Sequence, residues 1–143
     1  MAVKVTSGAI ATLVGQSLRG RTVEVCGLLL GRGELIERAL PCANVHPDPA
    51  RHFELDPAAL IAAHKAARMG GPEVLGYFHS HPTGLAEPSA EDQACASGDG
   101  RIWAILAGME IGWWRDAPDG FEQVRIAAVE ALRAAAAPPA PPC

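Results

Sequence analysis

The stretch DPAALIAAHKAARMGG (residues 56–71), followed almost at once by EVLGYFHSH (73–81), constrains the fold more than any other part of the chain. Asp56 is a good N-cap, Pro57 sits at the first helical position, alanines fill the interior and Gly70-Gly71 closes the segment, so a helix starts and stops here. The next run is apolar, aromatic and too short for a helix, and Pro82 ends it, which predicts a buried strand. A helix feeding directly into a buried strand points to the α/β class.

The rest of the chain repeats the alternation. Ser7, a plausible N-cap, precedes an apolar stripe of Ile10, Leu13, Val14 and Leu18 that predicts a helix over 7–19 ended by Gly20. Val23 to Leu30 and Glu34 to Leu40 read as a hairpin of buried strands with Gly31 and Gly33 at its turn. CANVHPDPARHFEL is a loop leading to a brief extended segment at 53–55. Ser89 to Ala96 reads as a capped helix, and three further strands are expected at 101–107, 111–114 and 121–129. No repeat or linker divides the sequence. We therefore expect one domain over residues 1–130, a mixed β-sheet flanked by helices, and a proline- and alanine-rich disordered tail at 131–143.

At 143 residues the chain has room for one domain with a real core, and a composition 49% hydrophobic and 20% charged is that of a globular protein. A net charge of −4 without a basic stripe argues against nucleic acid as partner. No apolar run approaches the length of a membrane span and no signal-peptide pattern opens the sequence, so a cytoplasmic location and no membrane partner are expected. Cys26, Cys42, Cys95 and Cys143 form no CxxC pair and read as reduced thiols.

The chemistry concentrates at His79-Ser80-His81. On a strand, side chains alternate, so both imidazoles point to one side and can converge on an ion. An HxH pair alone is better explained by surface or hydrogen-bonded histidines. Asp92, three residues after Ser89 on the following helix, brings a third ligand within reach. Two imidazole nitrogens and a carboxylate leave one tetrahedral position for water, the arrangement of a catalytic zinc site rather than a structural one. Such a site also needs a proton carrier. Glu24, a carboxylate inside VEVCGLLLG, is the candidate, because burying it is costly unless it has a partner or a task. The alternative is a Glu that faces solvent where the strand begins.

Together these positions resemble the JAMM (MPN+) metalloprotease signature: a glutamate on an early strand, then His79-Ser80-His81-Pro82, six residues, Ser89, two residues and Asp92. The resemblance runs from about residue 3 to 127. It implies a single MPN (JAB) domain with a cytidine-deaminase-like α/β fold and one zinc ion held by His79, His81 and Asp92, with water as fourth ligand. It also implies Glu24 as general acid/base and Ser89 as a donor to the tetrahedral oxyanion. Ser89 could equally be a helix cap, and the two roles are compatible.

The family implies a substrate too: the bond following the C-terminal glycines of a ubiquitin-like protein or, in prokaryotic relatives, of a sulphur carrier. Eukaryotic deubiquitinases carry an insertion between Asp92 and the next strand, and only a few residues separate them here. The short prokaryotic type, with a small ubiquitin-fold partner, is therefore the closer resemblance. Two rivals are a non-catalytic MPN scaffold, which typically lacks a ligand, and a nucleotide deaminase, which needs HxE and PCxxC. Every ligand is present, and neither deaminase motif occurs. Tyr77, Phe78, Trp103, Trp113 and Trp114 read as sheet packing, with one or other ring of the Trp113-Trp114 pair partly exposed and open to a partner. His46, His52 and His64 read as loop or helix-surface residues.

Overall fold

A computed structural model describes residues 2–130, and the expected tail at 131–143 lies outside them. In chain order the elements are β1 (Val3–Thr6), α1 (Ser7–Arg19), β2 (Cys26–Arg32), β3 (Leu35–Cys42), α2 (Pro57–Arg68), β4 (Glu73–Ser80), α3 (Ala90–Cys95), β5 (Ile102–Ala107), β6 (Glu110–Ala117), β7 (Gly120–Gln123) and β8 (Ile126–Val129). The strands form one mixed sheet in the order β7-β6-β5-β4-β2-β3-β1-β8. Parallel pairing joins β4 to β5 and β1 to both β3 and β8, and the remaining pairs are antiparallel.

The two faces of the sheet carry separate clusters. One packs Val5, Leu29, Ile36, Phe78, Ala104 and Leu106 against Ala9 and Leu13 of α1. The other packs Leu28, Leu30 and Val74 against Leu60 and Ala63 of α2. Helix α2 begins as its sequence signals, with Asp56 accepting the Ala58 N–H at 3.0 Å and Pro57 in the first turn. Helix α1 has the expected span, but its cap is Thr6, which accepts the Ala9 N–H at 3.1 Å, and not Ser7. Its buried stripe is Ala9, Leu13 and Ser17, and Leu18 is left exposed.

Three further features differ from expectation. Strand β1 was not foreseen, since VKVT is four residues long and abuts a helix. Glu24 lies two residues before β2 rather than within it. The strand expected over 121–129 is two strands, β7 and β8, on opposite edges of the sheet. Only Val124 and Arg125 separate them. Three backbone steps span at most about 11 Å, so the sheet curls until its two edges nearly meet. Val124 N–H donates to Trp113 O at 3.0 Å, and the carbonyl of Arg125 accepts from Val3 N–H at 2.9 Å, which stitches that seam.

The centre of the sheet tolerates little added volume. A Cβ at Gly76 would fall 1.8 Å from the Ile102 carbonyl oxygen, backbone against backbone on the β4–β5 pair that carries His79. Gly76→Ala should therefore cost about 3 kcal/mol or more, read as a lower denaturation midpoint at unchanged m-value. An unaffected midpoint would mean that the two strands separate more easily than this contact implies.

Candidate metal centre

His79 is the seventh residue of β4 and His81 lies one residue beyond the strand's end. The alternation expected of HSH survives that step. The Ser80 hydroxyl turns the other way and accepts the Val25 N–H at 2.9 Å, which ties the approach of β2 to the end of β4. Asp92 comes from α3, whose start is a capping box. Its backbone N–H donates to Ser89 Oγ at 3.0 Å, and the Ser89 N–H donates to Asp92 Oδ2 at 2.9 Å.

The structure brings the three expected ligands together. His79 Nε2, His81 Nε2 and Asp92 Oδ2 are mutually 3.1 Å apart. Bonds of about 2.0–2.1 Å to a tetrahedral zinc ion place neighbouring ligand atoms about 3.3–3.4 Å apart, so the triangle fits the ion with only a small expansion. Its donor set of two imidazoles and a carboxylate suits zinc as well. Asp92 is 6% exposed and His79 not at all.

Electrostatics favour ligation by His79 and Asp92, while zinc must displace a proton from His81. Burial lowers the His79 pKa and keeps the imidazole neutral. Burial alone would raise the Asp92 carboxyl, but hydrogen bonds from His79 and His81 outweigh it and hold the group well below the usual carboxylate range. Burial likewise opposes charge on His81, yet its hydrogen bonds to Asp92 and to the Leu85 carbonyl leave its pKa raised.

Glu24 stands beside the triangle, a carboxylate oxygen within 4.8 Å of the ring nitrogens of His79 and His81. None of the hydrogen bonds linking His79, His81 and Asp92 involves it. Its backbone is anchored on both sides, the N–H donating to Pro49 O at 2.7 Å and the carbonyl accepting Asn44 Nδ2–H at 2.9 Å. Burial pushes its carboxyl up to about 7, opposed by His81 and reinforced by Asp92.

A cleft of about 760 Å³ opens over the centre. One wall is the 50–53 segment, the other is the 82–91 stretch, and Glu24 and Trp103 lie between them. Several of its residues escaped the sequence reading. Phe53 stacks on His79 with ring centroids 4.3 Å apart, although only an extended segment was expected there. His52, read as a loop histidine, does lie in a loop, but its Nδ1 is 2.8 Å from Glu91 and bridges the two walls. Of the tryptophan pair Trp113 is the core ring, whereas the Trp114 indole N–H is taken up by the Ala86 carbonyl at 3.1 Å. Spacing in sequence carries no signal for contacts between segments so far apart. His46 caps a turn by accepting the Asp48 N–H, and His64 sits on α2, both outside the triangle.

Comparison with known proteins places these features in a lineage. A protein of Thermus thermophilus described as a probable TtuB-protein conjugate cleaving protease is 45% identical over 75 residues, covering 52% of this chain and 50% of that one. A desampylase of Haloferax volcanii is 36% identical over 86 residues, covering 59% and 62%. The chain thus spans about half to three-fifths of the length of these relatives. A solution structure of a Desulfitobacterium hafniense protein superimposes with a TM-score of 0.78 at 31% identity, over 91% of this chain and 94% of that one. Because the family described as prokaryotic homologs of the JAB domain matches residues 6–120, the chain belongs to that family, a short prokaryotic form of the JAMM/MPN+ proteins.

Proposed function

We propose that the chain is a zinc-dependent isopeptidase that cuts the bond after the C-terminal glycines of a ubiquitin-like or sulphur-carrier protein. The observation that carries the reading is the triangle of His79, His81 and Asp92 beneath an open cleft, with the buried Glu24 carboxylate within reach of the same ion. The printed names of the two relatives, one a desampylase and one a conjugate cleaving protease, support the substrate class.

His79, His81 and Asp92 would hold one zinc ion. When bound, zinc supplies Lewis acidity, lowering the pKa of a water to about 7 and polarising a carbonyl. Glu24 takes the proton of the attacking water and returns it to the leaving amine, a role that needs a carboxylate near the metal but not on it. The Ser89 hydroxyl accepts from Asp92 N–H and keeps its own proton free to donate to the oxyanion. A diglycine tail suits the cleft, because glycines let a backbone approach closely between two walls.

The direct test is cleavage, by zinc-loaded protein, of fusions joining small ubiquitin-fold proteins through their C-terminal glycines to a reporter. Cutting after the last glycine is expected. Intact fusions in the presence of bound zinc would favour a non-catalytic scaffold. Ser89→Ala separates its two roles: loss of the cap alone costs about 1 kcal/mol of stability, whereas loss of an oxyanion donor lowers kcat about 100–1000-fold. We expect both, and an unchanged kcat would leave Ser89 as a cap only.

A further inference from the structure

We propose that Trp114 is a positioning residue for the metal centre, its indole N–H holding the 82–88 loop in the place that sets the tautomer and rotation of His81. The proposal rests on the zinc reading above. His81 needs such help, because it lies one residue past the end of β4 and its ring is outside the sheet's register. Its backbone is held by the N–H bond to Leu106 O at 2.8 Å, but that bond leaves the side-chain torsions free.

The ring itself is held by one contact outside the triangle, Nδ1 to the Leu85 carbonyl at 2.8 Å. A carbonyl only accepts, so Nδ1 carries a proton, and once the proton that Nε2 shares with Asp92 is released Nε2 is the nitrogen left to ligate. Leu85 cannot fix that carbonyl with its own side chain, which is 69% exposed. The anchor is the next residue. Ala86 is buried, and its carbonyl accepts Trp114 Nε1–H at 3.1 Å.

Strand β6 is shaped for this contact. A Cβ at Gly112 would fall 1.8 Å from the Ala86 oxygen and 2.8 Å from Trp114 Nε1, so the loop carbonyl occupies the space that a side chain would take. Gly112 and Trp114 share one face of β6, two residues apart. The path therefore runs from the Trp114 indole to the Ala86 carbonyl, along one residue to the Leu85 carbonyl, and on to His81 Nδ1. His79 has no need of it, being wholly buried beneath Phe53 and against the edge of Trp103.

The test uses Trp114→Phe, which keeps the aromatic ring and removes the N–H, with Trp113→Phe as a control that loosens the core on the opposite face. Metal-free full-length protein is titrated with zinc against a chromophoric chelator, and the His81 tautomer is read from long-range nitrogen–proton NMR correlations at a pH high enough for the ring to be neutral. Trp114→Phe should weaken zinc binding about 10–100-fold and lose the single Nδ1–H tautomer, at a melting temperature close to that of the parent. Trp113→Phe should lower the melting temperature and leave the zinc constant alone. Parental zinc affinity and tautomer in Trp114→Phe would overturn the proposal, as would weakening in both variants that simply tracks their loss of stability. If the parent protein itself takes up no zinc, the zinc reading falls and this inference falls with it.

Discussion

Glu24→Ala should leave zinc bound at one equivalent and reduce turnover of a glycine-tail fusion by about 100–10,000-fold, the usual contribution of a positioned acid/base. The ligand triangle does not include Glu24, so metal content and activity part company in this variant. Metal analysis beside kinetics decides it, and wild-type turnover with Ala at this position would remove Glu24 from the reaction. The same residue makes an opposite prediction for stability. The residue is 7% exposed, and its carboxyl is pushed from an ordinary 4.5 up to about 7, so the fold favours the protonated form. Stability of the metal-free protein should then fall as pH rises through the window from 4.5 to about 7, where the unfolded chain has released the proton and the folded one still holds it. Glu24→Gln should raise the melting temperature of metal-free protein, and by more at pH 8 than at pH 5. A variant that is less stable at both would mean that the carboxylate is better satisfied than its burial suggests.

Asp92→Ala and His81→Ala should each abolish stoichiometric zinc. Loss of a group that merely orients a ligand costs roughly 10–100-fold in affinity, and removing one of three protein ligands should exceed that. Linkage supplies a second readout: a ligand present at a thousand times its Kd adds about 4 kcal/mol to stability. Zinc should therefore raise the melting temperature of the parent and of Glu24→Ala, and should do little for Asp92→Ala or His81→Ala. Undiminished zinc content in both ligand variants would place the ion elsewhere.

The site was more legible than the sheet around it because its logic is local. HSH needs only the alternation of a strand to aim two imidazoles one way, and Ser89 with Asp92 needs only the first turn of a helix to form a capping box. Both conditions can be read from a few adjacent letters, and both are met. What supports the site is not local. The Phe53 ring over His79, the His52–Glu91 bridge and the Trp114 bond to Ala86 join residues 26, 39 and 28 positions apart. No periodicity announces them. The split of 121–129 was hidden for a related reason, since apolar strand residues continue through Val124 and Ile126 while the chain passes from one edge of the sheet to the other.

That passage has a consequence for solubility and for how a substrate can be gripped. An open eight-stranded sheet would offer two rows of unpaired N–H and C=O groups as templates for edge-to-edge aggregation. Here the two outermost strands are short, four residues each, and the two-residue step between them turns their margins toward one another. A foreign strand finds little to add to at that seam. On the function proposed above, a glycine tail would then draw its main-chain hydrogen bonds from the walls of the cleft, so that docking and delivery to the metal would be one event.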